Sequence, residues 1–506
     1  MDRANESIKR AGPCDRGRPR FPVYAGLNFG SVEFMNPTFH SFTLWIALAS
    51  ATYFAGDARA TSRAPVPDSA IPPNIVFILV DDLGWTDLGC TGSDLYETPH
   101  IDRLAAQGVR FTNAYSACTV CSPTRAAILT GKYPARLHIT DWIHGHVRPN
   151  AKLKVPDWTH YLPHDEPTLA AALHKRGYVS ASIGKWHLGD GEEHYPTRHG
   201  FDVNRGGYGA GQPPSYFSPH RIPTLDDGPE GEYLTDRLSD EACRFIEANR
   251  NRPFFLYLPH YGVHTPLQAK NELVEPYAQK IKPGMKHTNA TYAAMIHSLD
   301  EGVGRVLAKL EDLGIAERTV VFFTSDNGGL IGEPKRSITS NVPLRAGKGS
   351  AYEGGVRVPL IVRAPGRPRP GSVCHEPVIS VDYYPTVLEL TGPQRATQES
   401  RPADGRSIVR LLENPSANLD REAIYWHYPH YHPGGATPYG AVRAGDWKLI
   451  EFYEDMHVEL YNLASDISEI ADMAAAKSDQ AAELRAKLHA WRASVGAQMP
   501  VGGNEE

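Results

Sequence analysis

An Asp-Asp pair, an Asp-Asn pair and one cysteine are the residues whose types and spacing could do chemistry together. Asp81-Asp82 follow the apolar run Asn74 to Val80, and Asp326-Asn327 follow a second apolar run, Thr319 to Thr324. Hard oxygen ligands of this kind suit calcium, with magnesium possible, better than a transition metal. An isolated Asp-Asp or Asp-Asn is commonly a turn or a cap. Two such pairs, each ending an apolar strand, point instead to a cation site. Cys121 opens the segment Cys121-Ser122-Pro123-Thr124-Arg125, which runs on to Thr130-Gly131-Lys132. Its pattern predicts a helix with Ser122 as N-cap, Pro123 at the first helical position and Gly131 at the end. A cysteine at that place faces free backbone N–H groups that favour an anion. Taken alone, Cys121 is an activated thiol or an inert core residue.

Cations recur on loops beside the other apolar runs. They occur in Gly184-Lys185-Trp186-His187, in His260-Tyr261-Gly262-Val263-His264-Thr265-Pro266 and in Gly347-Lys348-Gly349. A lone lysine is ordinarily solvated and a lone histidine ordinarily a satisfied core residue. The run Cys121-x-Pro123-x-Arg125 with Thr130-Gly131, however, resembles the signature of the formylglycine-dependent sulfatases of the alkaline phosphatase superfamily. The three cation-bearing segments match the same family, and the resemblance spans roughly residues 73 to 465.

That resemblance implies a chemistry for each residue. A maturation enzyme would convert Cys121 to formylglycine. Asp81, Asp82, Asp326 and Asn327, with residue 121, would hold calcium. One hydroxyl of the hydrated aldehyde would attack sulfur while Arg125, Lys185 and Lys348 neutralise the sulfate oxygens. His264, or Lys348 beside it, would protonate the leaving oxygen. His187 would deprotonate the second hydroxyl, which expels sulfate. The expected substrate is a sulfated carbohydrate, small or polymeric. Candidates to hold the sugar are His144, between Trp142 and His146, and His427 and His430 in the cluster Trp426 to His432. The other reading of that cluster is a cap on a domain interface. Two rival functions stand beside this one: a phosphonate or phosphate monoester hydrolase of the same superfamily, and a non-catalytic module that binds sulfated glycans. Phosphate-specific relatives usually pair a Thr or Ser nucleophile with two zinc ions and a richer His/Asp set, which this sequence lacks.

These residues need a scaffold that brings distant segments to one place. Apolar runs at 74–80, 179–183, 253–258, 319–324 and 358–362 alternate with helical patterns at 168–176, 234–248 and 292–313. Such alternation predicts an α/β domain, a large mostly parallel sheet sandwiched by helices, with ligands at the carboxyl ends of the strands. After about residue 400 the pattern changes. Segments 439–451 and 458–463 and a helix over 481–493 predict a smaller C-terminal α+β subdomain with an antiparallel sheet. The expected organisation is an extension (1–60), a linker (61–73), a catalytic domain (74–400) and the subdomain (401–506).

Lys and Arg number 52 against 58 Asp and Glu, a net charge of −6 that gives no argument for nucleic acid or an anionic membrane. The six cysteines are scattered and have no histidine spacing suited to zinc. Phe42 to Phe54, followed by Ala58-Arg59-Ala60, is too short to span a bilayer comfortably but fits a signal-peptide core, with Met35 as the expected start. No stable membrane span is expected, and the expected location is periplasmic or secreted.

Overall fold

The computed structural model describes residues 72–333, 336–367, 370–392 and 403–502. The expected signal peptide, most of the linker and the expected boundary at residue 400 lie outside the described residues.

Strand β1 (Asn74–Val80) is seven residues of unbroken burial. Its side chains alternate between two cores. Val76, Ile78 and Val80 join one apolar cluster, whereas Ile75, Phe77 and Leu79 join another. A strand buried on both faces must be apolar at every position, which explains the continuous run in place of an alternating one. The other strands of the main sheet are β2 (Val109–Phe111), β3 (Val179–Ile183), β4 (Val203–Arg205), β5 (Phe254–Pro259), β6 (Thr319–Ser325), β7 (Leu360–Arg363) and β8 (Ser372–Cys374), in the order β8-β2-β7-β6-β1-β5-β3-β4. Every neighbour pair is parallel except those made by β7, which runs antiparallel to both β2 and β6.

Helices cover both faces. On one lie α1 (Pro99–Gln107), α4 (Leu234–Ala248) and α5 (Ala290–Asp312); on the other lie α2 (Cys121–Thr130), α3 (Leu169–His174) and α6 (Tyr383–Leu390). The C-terminal subdomain is a four-stranded antiparallel sheet of β9 (Ile424–Tyr428), β10 (Tyr439–Ala444), β11 (Trp447–Phe452) and β12 (Val458–Asn462), packed by α7 (Ser478–Val495). Its apolar side chains, among them Trp426, Tyr428 and Tyr439, form a third cluster with Tyr115, Cys118 and Val120, the segment that leads into α2. Among the described residues no helix is long and apolar enough to cross a membrane.

One local expectation is corrected. Helix α2 starts at Cys121 itself with Val120 as N-cap, and Pro123 is its third residue. Ser122 does not cap the helix because its hydroxyl accepts the amide of Ile143, 3.1 Å away. Gly131 does close the helix, in the left-handed conformation at φ 70°.

Candidate active site

The register of the sheet assembles the site. Val80 pairs with Ser325 across β1 and β6, so Asp81-Asp82 and Asp326-Asn327 emerge side by side. On the other flank, Leu79 pairs with Pro259, and the loop after β5 is stitched to Asp81 by two backbone bonds, Asp81 N to Gly262 O and Val263 N to Asp81 O. Lys185 follows β3 and its amide bonds the carbonyl of Pro259 at 2.7 Å. Because β7 runs the opposite way, the residues that precede it reach the edge that the other strands leave. Lys348 therefore joins this rim, and its amide bonds Gly329 O. Gly349 N bonds Thr119 O, tying the same loop to the approach to Cys121.

The charges interlock. Asp81 Oδ2 accepts Lys185 Nζ at 2.7 Å, with both side chains fully buried. Asp82 receives Lys348 Nζ at 2.8 Å on Oδ1, and the amide of Asn327 donates to the same oxygen at 2.7 Å. Asp326 Oδ2 accepts Arg125 Nε at 2.9 Å and Nη2 at 2.7 Å, while its Oδ1 accepts the backbone N–H of Asp82. Burial pushes the Asp81 carboxyl up to about 7, against the pull of Lys185. For Asp82, burial also acts upward, but Lys348, His264 and Asn327 outweigh it and hold the carboxyl well below the usual range. Asp82 and His187 adopt left-handed backbone, at φ 60° and 58°, which non-glycine residues rarely hold without compensation nearby.

Two buried oxygens here accept no hydrogen bond: Asp81 Oδ1 and Asn327 Oδ1. The amide of Asn327 is oriented by two acceptors, Asp82 Oδ1 and Gly328 O, so its oxygen is the orphan. Ligand-capable atoms of Asp81, Asp82, Cys121 and His264 lie within 4.8 Å of one another. The two carboxylates of that group, with the orphaned oxygens Asp81 Oδ1 and Asn327 Oδ1, fit a hard divalent cation. Asp326 is not in that group of four, and its Oδ2 is engaged twice by Arg125.

Above this floor opens a cavity of about 360 Å³ lined by Cys121, His187, His264, Lys348, Trp142, Ile143, Gln212 and His432, among others. Burial lifts the Cys121 thiol to about 11, so little thiolate exists at neutral pH. His187 is buried, its ring resting on Gly211, where a Cβ would come within 2.5 Å of Cε1. Its Nε2 donates to the carbonyl of Ile143 at 2.5 Å, which leaves the lone pair on Nδ1, a buried atom without a partner. Desolvation, then Lys185, holds the ring well below the usual histidine range, so it is neutral and can accept a proton. His264 donates from Nδ1 to Thr265 O at 2.9 Å and presents Nε2 3.6 Å from Asp82 Oδ2; burial and Lys348 lower it to about 3.

Several sequence expectations change. Arg125 does not face the cavity. One helical turn after Cys121, it points beneath the site, fully buried, onto Asp326 and Asp81. Lys185 likewise lies under the floor. His427 is no sugar ligand in this geometry, since Nδ1 bonds Tyr453 Oη and Nε2 bonds Gln498 O, both at 2.8 Å, inside the C-terminal subdomain. His430 is buried against Thr140 Oγ1 at 2.8 Å, which makes it part of the interface between the subdomain and the 140s loop. His144 is exposed and pairs with Asp190 at 2.6 Å, outside the cavity lining. Sequence reasoning did not single out Gln212 or the Ile143 carbonyl, for which composition offers no signal. The reading of the six cysteines as scattered, with no C-x-x-C spacing, is corrected by Cys118-Thr119-Val120-Cys121.

Comparison with known proteins places the chain. The family model described as Sulfatase matches residues 73–393, and a model described as N-sulphoglucosamine sulphohydrolase, C-terminal, matches residues 347–494. A Sulfatase of Formosa agariphila is 34% identical over 500 residues, covering 84% of this chain and 89% of its own. Steryl-sulfatase of Mus musculus is 34% identical over 468 residues, covering 76% and 72%. The crystal structure of Ps i-CgsB in complex with k-i-k-neocarrahexaose superposes with a TM-score of 0.70 at 30% identity, covering 83% of this chain and 93% of that one.

Proposed function

The chain belongs to the sulfatase family of sulfuric ester hydrolases, and from that premise we propose that it removes sulfate from a carbohydrate, using Cys121 oxidised to formylglycine beside a calcium ion. The observation that carries this reading is the orphaned oxygen Asp81 Oδ1, buried in the group that gathers Asp81, Asp82 and His264 around Cys121, with a second orphan, Asn327 Oδ1, on the amide that donates to Asp82. Asp81, Asp82, Asp326 and Asn327 would hold calcium, and magnesium would fit the same oxygen set less readily, given its demand for octahedral geometry. When present, the hydrated aldehyde would supply an oxygen nucleophile with a second hydroxyl, and the ion would supply Lewis-acid polarisation of the sulfate. A plain thiol held near 11 is poorly suited to either task.

The chain's own residues do the rest. Lys348, on the cavity wall and kept cationic by Asp82, meets the sulfate oxygens as charge develops. His187 Nδ1, buried and unpartnered, is the atom that would take the proton of the second hydroxyl. His264 is neutral with its proton on Nδ1 and only a lone pair at Nε2, so Lys348, the protonated neighbour, is the group that would supply the proton to the leaving oxygen. Arg125 and Lys185 balance the carboxylates from below, and Lys348 does so from the cavity wall.

A sugar leaving group is supported by Trp142, which lines the cavity and stacks with His146. Flat faces and hydroxyl partners suit a polyol. The reading includes a maturation enzyme as partner and export to the periplasm or beyond. Sulfate release is measured from 4-nitrophenyl sulfate and from sulfated galactose and glucosamine oligosaccharides, with phenyl phosphonate esters as controls. Turnover of sulfate esters that is lost on calcium chelation supports the reading; phosphonate turnover without sulfate release overturns it.

A further inference from the structure

We propose that His432 is a specificity-determining hydrogen-bond donor that reads an oxygen of the leaving group close to the ester being cut. This rests on the sulfate-ester reading above. His432 lines the same cavity as Cys121 and Lys348. Its Nδ1 accepts the backbone N–H of Gly434 at 3.0 Å, so the ring proton resides on Nε2. No protein group among the described residues bonds Nε2.

The ring is clamped. His432 N bonds Ala436 O and Gly435 N bonds His432 O, closing a tight turn. Trp142 meets the imidazole edge-on at 5.3 Å and 73°. On another side runs the backbone of Gly349, at φ 84°, where a Cβ would lie 2.1 Å from Nδ1. Only a residue without a side chain fits there, and Lys348 is its immediate neighbour. The same loop thus carries the sulfate-facing cation and makes room for the imidazole. Desolvation, with help from Lys348 and His146, lowers the ring to about 4, so it is neutral and offers a directed N–H without a second positive charge that would compete for sulfate.

A fixed donor in a partly desolvated wall discriminates strongly against a substrate that leaves it unpaired. The test compares cyclohexyl sulfate with trans-2-hydroxycyclohexyl sulfate, which differ by one oxygen beside the ester. The wild-type protein is expected to prefer the hydroxylated ester in kcat/KM by about 10-fold to 100-fold. His432→Ala should erase the preference, and His432→Gln, which keeps an N–H donor, should restore part of it. A preference unchanged in His432→Ala, or no preference in the wild-type protein, would overturn the inference. No turnover of either ester or of 4-nitrophenyl sulfate by the fully matured wild-type protein would instead sink the sulfatase reading, and this inference with it.

Discussion

Arg125 and Lys348 are both cations of the site, but they answer to different groups. Arg125 sits wholly inside, bonded twice to Asp326, and removing it leaves buried carboxylates without a counter-ion. Arg125→Ala should therefore lose about 3–5 kcal/mol of stability in denaturant melts. Lys348 reaches the cavity, and Lys348→Ala should lower kcat/KM about 100-fold to 1000-fold, the scale of one transition-state contact. Asp81 gives a pH prediction. Its carboxyl, raised to about 7 in the folded metal-free protein, contributes stability below its unfolded value near 4 that is lost as pH rises through 7. In the proposed site calcium would bind the ionised form, so the rise in Tm on adding calcium should grow between pH 4 and 7 and level off above, as read by calorimetry. A calcium shift independent of pH across that window would contradict the role given to Asp81. Which residue types gather here was legible from motif and spacing. Which way each points was not, because Arg125 differs from a cavity residue only by its side of a helix. His432 likewise follows the end of a strand, where alternation no longer predicts direction.

At the level of elements, the site exists because strands end together. The run at 74–80 was legible to the residue, since a strand buried on both faces must be continuously apolar; the strand at 179–183 keeps its expected bounds although Ser180 and Ser182 interrupt its apolar residues. The reversal of β7 was not, as an apolar run carries no sign of its direction; yet it is this reversal that delivers Lys348. Two loops at the rim also touch at backbone distance. A Cβ at Gly328, next to Asn327, would lie 1.9 Å from the carbonyl oxygen of Gly354. Neither backbone can move aside cheaply, so Gly328→Ala should cost about 1–3 kcal/mol or more and weaken calcium binding together with Tm. Normal calcium affinity in that variant would show that the two loops are not coupled to the metal ligands.

Across the whole molecule, the C-terminal subdomain completes the catalytic core as well as appending to it. Lys448 on β11 is fully buried between Glu353 and Glu469, 2.9 Å from each, and Glu353 follows the Lys348 loop. Lys448→Ala should lose about 3–5 kcal/mol in equilibrium unfolding, since it strands two acids in the interior. The change of pattern after residue 400 announced this subdomain, but not its third apolar cluster with Tyr115 and Val120, because contacts so distant in sequence leave no local periodicity. The account as a whole turns on the oxidation state of residue 121. The most direct measurement compares preparations made with and without a maturation enzyme, quantifying formylglycine at residue 121 by peptide mass spectrometry and sulfate release per molecule in the same samples. Turnover is predicted to rise in proportion to the formylglycine fraction and to extrapolate to zero with unmodified Cys121. Full turnover in protein whose residue 121 is entirely unmodified cysteine would contradict it.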